Sequence, residues 1–336
     1  MSLPARYLPA LDAELRRVVD LRSDGPPLLY GMLRYHLGWV DSGFRPVQED
    51  SGKRIRPVML LLAAEASGGD WQQALPAAAA VELLHNFTLI HDDIEDRDTL
   101  RRGRATLWSI WGIAQAINAG DALFALSYLA LLELTSRGTT PERVAAAAQQ
   151  YTEAVISVTE GQCLDLAFEE EQIVDEAVYL EMIRGKTAAL MGLAAELGGI
   201  IAGAPEGNPP ALREFGEALG MAFQMNDDIL GLWGDPAATG KPVASDIRKG
   251  KKTLPILHGL TESPALRDLL VLPAPTDVDV QHALKELDRV GSRAYAEDRA
   301  AGYHRQALEA LDRSGGAGNA QQALRDLVQR LVNRAR

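Results

Sequence analysis

Residues 83–108 read LLHNFTLIHDDIEDRDTLRRGRATLW, and the interpretation of the whole chain starts from them. Apolar residues before the acidic run recur with the spacing of a helix rather than with the alternation of a strand. On a helix of about 100° per residue, Asp92 and Asp96 each lie within about 20° of His85, so the two carboxylates face one region. Two like charges at that spacing are costly unless a cation lies between them. Hard oxygen ligands in this number suit Mg²⁺, which keeps several waters and usually also binds substrate phosphates.

A basic run follows directly, with Arg97, Arg101, Arg102 and Arg104 around Gly103. Acid followed at once by base is expected where a metal ion contacts one side of a phosphate and guanidinium groups contact the other. A solvated helix end that neutralises its own charge is the simpler interpretation, and an isolated run would favour it. A second acidic cluster far along the chain favours the phosphate site instead.

The second cluster contains Gln224, Asp227 and Asp228, at positions i, i+3 and i+4 of one helical face. An acidic surface on an ordinary helix is the alternative, but the apolar residues among them leave little room for a wholly solvated side. If this helix faces the first across a cavity, Asp92, Asp96 and Asp227 can share magnesium ions that hold a diphosphate. Metal ions bound to a leaving group stabilise its charge as it departs.

Composition limits the classes of partner. The chain has 336 residues, of which 47% are hydrophobic, and a net charge of −12, which argues against nucleic acid and anionic membrane surfaces. Cys163 is the single cysteine, so an intrachain disulfide is impossible and a reducing, cytoplasmic setting is expected. The longest apolar run, 190–204, is interrupted by Glu196 and is too short for a transmembrane segment.

The remaining pattern is helical throughout, with no convincing strand and no linker. Helices that are apolar on several faces must surround one another, which predicts one all-α domain. Gly120-Asp121 is expected to interrupt the helix in which it lies. Helices are predicted at 8–20, 28–40, 58–66, 71–95, 107–135, 142–168, 175–202, 211–232, 254–260, 264–270, 278–290, 293–311 and 320–332.

Six short motifs occur along the chain in a fixed order. They are GKRIRP at 52–57, HDDIED at 91–96, RRG at 101–103, GKT at 185–187, QMNDD at 224–228 and GDPAATGK at 234–241. A single acidic motif is weak evidence, but six in this order are strong. The chain resembles the trans-isoprenyl diphosphate synthases, also called polyprenyl synthetases, over residues 52–255. Within that family it looks most like the geranylgeranyl diphosphate synthases.

The resemblance implies an architecture. It points to the isoprenoid synthase fold, a single-domain antiparallel helical bundle around a deep central cavity, and to a homodimer. Residues 1–336 would form one domain, with the motifs in a core at 52–255 and further helices at 256–336.

The resemblance also implies roles for individual residues. The catalytic set would be Asp92, Asp93, Asp96, Arg101, Lys186, Asp227 and Lys241. Three Mg²⁺ ions would accompany the bound diphosphate, ligated by Asp92, Asp96 and Asp227. The allylic diphosphate would contact Arg101, Lys186, Thr187, Gln224, Asp228, Lys241 and Lys251. Isopentenyl diphosphate would contact Lys53, Arg56, His85 and Arg102. Arg54 and Lys252 are interpreted as general basic background.

The implied reaction is head-to-tail (1′-4) condensation of isopentenyl diphosphate with dimethylallyl, geranyl or farnesyl diphosphate. In this family the residues four and five positions before the first aspartate help to set product length, and here they are Thr88 and Phe87. They predict a twenty-carbon product, geranylgeranyl diphosphate. A farnesyl or a slightly longer product is the alternative.

One departure from the family pattern concerns the second cluster. Many members carry a third aspartate where this chain has Gly231. Activity should survive, because Asp227 is the better-placed ligand, although metal affinity could suffer. Ala105, where proline is common, matters less.

Two other classes of protein remain open at this point. A class I terpene cyclase also ionises prenyl diphosphates with Mg²⁺, but it needs no second diphosphate site, so Lys53, Arg56 and Arg102 argue against it. A non-catalytic regulatory subunit often loses the first acidic motif, which this chain keeps.

Overall fold

A computed structural model of the chain describes residues 3–22, 24–47, 49, 52–171, 174–235, 244–270 and 275–332. The prediction of an all-α fold is confirmed. Lys241 lies outside the described residues. The helices are α1 (Leu8–Asp20), α2 (Pro27–His36), α3 (Ile55–Ala66), α4 (Leu75–Glu95), α5 (Leu107–Trp111), α6 (Ile113–Leu132), α7 (Pro141–Glu170), α8 (Glu176–Ile183), α9 (Ala189–Ala202), α10 (Asn208–Trp233), α11 (Ser245–Arg248), α12 (Leu254–Glu262), α13 (Pro264–Leu270), α14 (Asp277–Arg289), α15 (Ser292–Arg313) and α16 (Gly318–Val332).

The chain groups into two compact units. The first contains Met1–Gln150, Ala194–Pro209 and Gly316–Ala323, and the second contains Tyr151–Leu193, Pro210–Gly315 and Leu324–Arg336. The first acidic cluster belongs to the first unit and the second cluster to the second unit. That residues 1–336 act as one domain stays a prediction.

Helix α4 is the centre of the first unit and contacts α1, α3 and α6. Its first half, from Leu75 to Leu84, is buried on every face, and small alanines there let the neighbouring helices approach closely. A helix that is apolar all round is stable only when it is surrounded. The second half of α4 is more polar. The buried first half therefore fixes the helix in the core, and the second half carries the first acidic cluster.

The predicted break at Gly120-Asp121 is wrong. The chain breaks at Gly112, which has φ 83° and separates α5 from α6. Gly120 lies inside α6, where a Cβ would collide with the ring of His91 on α4. The glycine therefore permits close helix packing rather than a turn, and Asp121 is exposed on the outer face.

A small hairpin follows α4, although no strand was predicted. Strands β1 (Leu100–Arg101) and β2 (Arg104–Ala105) pair antiparallel around a turn in which Arg102 has φ 52° and Gly103 has φ 74°. Two positive φ values are the mark of the tight turns that connect hairpin strands. Strands of two residues are too short to show an alternating pattern.

The second unit is built around α10. Phe168, Tyr179, Met221 and Met225 belong to one of its apolar clusters, and a second cluster involves α12 and α14. A π-helical turn, Arg184–Ala188, joins α8 to α9. A Cβ at Gly185 would lie 2.5 Å from the backbone oxygen of Ser157 on α7, so only glycine allows this approach.

In the part of the chain that the structure describes, two stretches, Ile113–Arg137 and Glu176–Ala202, are long and apolar enough to cross a membrane. This is weak evidence for spans, because core helices of soluble proteins meet the same criteria. In the second stretch, 78% of the most apolar window is buried within the protein.

Candidate active site

The first acidic cluster, Asp92, Asp93 and Asp96, lies at the end of α4. Asp92 is partly exposed and Asp96, the residue that caps the helix, is exposed. Asp93 is buried, at 2% exposure. The two presented carboxylates are those with the predicted metal role, while Asp93 faces the protein.

Arg101, on β1, holds the buried carboxylate. Its Nε lies 2.5 Å from Oδ1 of Asp93, and its Nη2 lies 3.3 Å from Oδ2 of Asp92. Burial raises the pKa of Asp93 to about 6, although Arg101 opposes the shift. Asp93 was predicted among the catalytic residues, and its geometry indicates that it positions Arg101 beside Asp92.

Lys53, Arg56 and Arg102 form a cationic group, and His85 contacts one of its members. Nη1 of Arg56 lies 3.2 Å from Nε2 of His85. Burial lowers the pKa of His85 well below its usual value, and Arg56 and Arg102 lower it further. Because arginine can only donate, Nε2 of the neutral imidazole accepts, which assigns its proton to Nδ1. His85 thus orients Arg56.

Arg102, at the tip of the hairpin, lies against the loop that precedes α3. A Cβ at Gly52 would lie 2.6 Å from Nη2 of Arg102. The absence of a side chain at Gly52 lets the guanidinium group meet the backbone of the loop that carries the exposed Lys53. The residues predicted to bind isopentenyl diphosphate come from three separate stretches, and all of them belong to the first unit. The contact between Arg56 and His85 joins α3 to α4, and Arg102 joins the hairpin to the loop before α3.

Arg54 has a structural role that the sequence analysis missed, so its interpretation as basic background was wrong. It is 6% exposed, has φ 51°, and pairs with Asp12 at 3.3 Å and with the buried Glu82 at 3.6 Å. Nδ2 of Asn86 donates to Oε1 of Glu82 at 3.0 Å. A lone glutamate within the apolar first half of α4 could have predicted a buried cation, because a buried charge needs a partner.

A small pocket beside the hairpin was also missed. Its lining includes His36, Leu89, Asp93, Arg101 and Arg102. Burial lowers the pKa of His36 to about 3, and the charges of three arginines lower it as well. His36 lies at the end of α2, far in sequence from every motif, so no local pattern pointed to it.

Arg104 supports the hairpin rather than the site. It donates to the backbone oxygens of Tyr35 and Val40 at 2.9 and 2.8 Å. Its guanidinium carbon also lies 4.1 Å from the centroid of the Tyr35 ring. Of the basic run, Arg101 and Arg102 are thus the members associated with the predicted site.

The second acidic cluster, Asp227 and Asp228, lies near the end of α10. Asp227 is exposed, and Asp228 is buried at 3% exposure. Asp228 accepts hydrogen bonds from the hydroxyl of Tyr179, from Nε2 of Gln224 at 3.1 Å and from the backbone nitrogen of Leu254 at 3.1 Å. Burial raises its pKa to about 7. Asp228 was predicted to contact substrate, but this geometry gives it a positioning role.

Two other predicted residues extend the same network. Oγ1 of Thr187 donates to Oε1 of Gln224 at 3.0 Å, which joins the π-helical turn to α10. Lys186, in that turn, pairs with Asp165 on α7. Lys251 is exposed in the loop before α12.

The donor set suits magnesium chemically. Among the described residues, no group of three or more His, Cys, Asp or Glu side chains is arranged to hold a metal ion alone. Mg²⁺ commonly binds through one or two carboxylates and completes its shell with waters and substrate phosphates. The presented carboxylates of Asp92, Asp96 and Asp227 fit that mode.

Comparison with known proteins decides the family. Residues 39–287 match the family described as polyprenyl synthetase. The chain belongs to the polyprenyl synthetase family. It is a trans-prenyl diphosphate synthase and therefore a prenyltransferase. Members use isopentenyl diphosphate and allylic diphosphates, and they depend in general on magnesium.

The similarity to individual polyprenyl synthetases does not decide the product length of this chain. The chain is 40% identical over 328 residues to a (2E,6E)-farnesyl diphosphate synthase of Mycobacterium tuberculosis, covering 95% of this chain and 89% of that protein. It is also 40% identical over 302 residues to a geranylgeranyl diphosphate synthase of the same organism, covering 84% and 85%. A polyprenyl synthetase crystal structure from Streptomyces coelicolor superposes with a TM-score of 0.90 at 36% identity, covering 98% of each chain.

Proposed function

We propose that this chain condenses isopentenyl diphosphate head to tail with an allylic diphosphate and that its product is geranylgeranyl diphosphate. One observation carries the proposal: the first unit holds both an acidic face, with Asp92 and Asp96, and a separate cationic group. The guanidinium group of Arg101 lies beside the acidic face, with its Nη2 3.3 Å from Asp92. Two anions that bind close together need two sets of positive charge, and this unit supplies residues for both.

The proposed chemistry is dominated by charge on the leaving group. Magnesium held by Asp92, Asp96 and Asp227 would neutralise the diphosphate as the bond from its oxygen to the allylic carbon breaks. Arg101, Lys186, Lys241 and Lys251 would bind the remaining diphosphate oxygens. The double bond of isopentenyl diphosphate then attacks the allylic cation, and loss of a proton restores an alkene. The departing diphosphate is the proposed proton acceptor.

The cationic group would orient the second substrate. Arg56 and Arg102 present guanidinium groups, which match diphosphate oxygens in pairs, and Lys53 adds an exposed charge. His85 is uncharged and accepts from Arg56, so its role in the proposal is to fix that guanidinium group.

Product length needs a steric limit. Each added unit buries five carbons, worth about 4 kcal/mol at ~0.8 kcal/mol per methylene, so affinity alone favours longer chains. The ring of Phe87 packs 5.0 Å from that of Phe124 on α6 and 4.7 Å from that of His91. These neighbours restrict the movement of the Phe87 ring, which supports Phe87 as part of the steric limit on product length. Thr88 is a small residue, and its hydroxyl donates to the backbone oxygen of His85 at 2.8 Å.

The test is a product assay with labelled isopentenyl diphosphate and each primer in turn, with products sized after dephosphorylation. Twenty-carbon chains are expected from dimethylallyl, geranyl and farnesyl diphosphate. Chains that stop at fifteen carbons would refute the product assignment and leave the synthase intact. No product from any primer would refute the activity of the isolated chain. Farnesyl diphosphate alone should be inert, whereas a cyclised hydrocarbon would favour a terpene cyclase.

Phe87→Ala should lengthen the products, because it removes the restricted ring. Phe124→Ala should act in the same direction, since it removes the packing partner of Phe87. Phe44→Ala, at an exposed phenylalanine of the same unit, is the matched control and should leave the product unchanged.

We also propose a homodimer that works in the cytoplasm. Large apolar residues are exposed along α6, where Ile113, Ile117, Leu129 and Leu132 have exposures between 41% and 53%. Large apolar side chains exposed on one helix are candidates for a contact with another protein surface. Ile117→Glu should yield a monomer in light scattering, and an unchanged mass would move the interface elsewhere.

A further inference from the structure

The second acidic cluster lacks a carboxylate where its helix would place one. Gly231 follows Asp227 by four residues, so a side chain there would point to the same side of α10. A Cβ built at Gly231 would collide with the carboxylate of Asp246. The volume that a side chain at position 231 would enter is therefore already occupied by a carboxylate from another part of the chain.

Backbone hydrogen bonds place Asp246 there. The nitrogen of Ala244 donates to the oxygen of Leu232 at 3.2 Å, and Oγ of Ser245 donates to the oxygen of Gly231 at 3.4 Å. The nitrogen of Lys251 donates to the oxygen of Asp246 at 2.9 Å, which closes the loop on the other side. Residues 244–246 thus follow the last turn of α10, and Asp246 is only partly buried.

Asp246 also belongs to the second cluster. Its carboxylate occupies the place of a side chain at position 231, which lies one helical turn after Asp227 on α10. Three carboxylates, those of Asp227, Asp228 and Asp246, are thus associated with one end of α10. Such a gathering of like charges is costly unless a cation accompanies it.

We propose that Asp246 supplies the third carboxylate of this cluster, in place of a side chain at position 231, and acts with Asp227 on diphosphate-bound magnesium. The inference rests on the proposed function of the cluster. It fits the glycine at position 231, because a side chain there would require the carboxylate of Asp246 to move. A carboxylate added at position 231 therefore harms the site as long as Asp246 is present.

The test is a cycle of variants in the full-length chain. Calorimetry measures the magnesium concentration at which inorganic diphosphate binds to half saturation. Asp246→Ala should raise that concentration at least about tenfold, as loss of a metal-supporting group usually does. Gly231→Asp should raise it similarly, through collision with Asp246. The double variant Gly231→Asp/Asp246→Ala should return close to wild type, because the new carboxylate enters the space that Asp246 leaves.

Controls separate this idea from its surroundings. Asp235→Ala, at an exposed carboxylate just beyond α10, should leave magnesium dependence unchanged. Asp246→Asn keeps the shape of the side chain and should also lose affinity, which covers failure of the alanine variant to fold.

The outcomes are distinct. Unchanged magnesium dependence in Asp246→Asn would overturn the inference while leaving the proposed function intact. Additive losses in the double variant would overturn it as well. If wild type bound no diphosphate with magnesium and formed no product, the proposed function itself would fail, and the inference with it.

Discussion

The two acidic helices solve one problem with different chemistry. Each has consecutive aspartates, of which the first is presented and the second is buried: Asp92 and Asp93 on α4, and Asp227 and Asp228 on α10. Asp93 is held by the charged Arg101, whereas Asp228 is held by three uncharged donors, including Tyr179. In each pair the buried aspartate supports its exposed neighbour. The donor that holds the buried aspartate is charged in the first unit, and the donors are uncharged in the second.

The largest predicted effect separates the two members of each pair. Asp92→Asn and Asp227→Asn should lower kcat on the order of a hundredfold or more, as loss of a preorganised charge typically does, with little change in Tm. Asp93→Asn and Asp228→Asn should instead lower Tm, because an amide offers the buried donors one uncharged acceptor oxygen in place of the two oxygens of a carboxylate. Kinetics and thermal unfolding on the same preparations measure both. Glu95→Gln, exposed beside the cluster, is the control. If the buried members cost turnover at unchanged Tm, the division between presented and supporting aspartates is wrong.

The next effect tests the ionic character of the first unit. Arg54→Met should destabilise the fold by about 3–5 kcal/mol, because it leaves Glu82 buried without its cation. The double variant Arg54→Met/Glu82→Met should recover most of that loss, since it removes both charges. Urea unfolding measures the free energies. Equal losses in the single and double variants would show that the Arg54–Glu82 pair is not the reason.

A smaller effect on stability is expected from the uncharged donors to Asp228. Tyr179→Phe removes one of three donors to the carboxylate of Asp228 and should cost about 1.5–3 kcal/mol, the usual net value of a hydrogen bond to a charged group. The same unfolding assay measures it. A loss as large as that of Arg54→Met would mean that the second unit depends on a single contact as strongly as the first.

The smallest effect is a slope with pH. The folded-state pKa of His36, about 3, lies below its usual value, so the unfolded chain takes up the proton first as the pH falls. The free energy of unfolding therefore falls as the pH drops below about 6.5, because His36 must stay neutral in the folded chain. The fall is at most about 1.4 kcal/mol per pH unit. His36→Gln should therefore lose less stability than wild type between pH 7 and pH 5. His282→Gln, at an exposed histidine, should keep the wild-type slope, and identical slopes for all three proteins would contradict the assignment.

Sequence patterns predicted the fold class and the helices that carry the acidic clusters better than they predicted the residues that support those clusters. Helical spacing was enough for α4 and α10, because the presented aspartates follow a regular period. The supports were missed since they come from distant stretches: Arg54 meets Glu82, and Asp246 meets Gly231, only after the chain has folded. The break at Gly112 was missed because glycine in an apolar helix has two uses, and at Gly120 it serves packing with His91.

At the tip of the hairpin, the proposed function of Arg102 opposes the stability of the fold. Arg102 has φ 52°, a left-handed conformation that costs a non-glycine residue roughly 1–2 kcal/mol. Arg102→Gly would relax the backbone while deleting a guanidinium group proposed to bind substrate. Selection for thermal stability alone would therefore favour glycine at this position, and the proposed contact with diphosphate is a reason for arginine there.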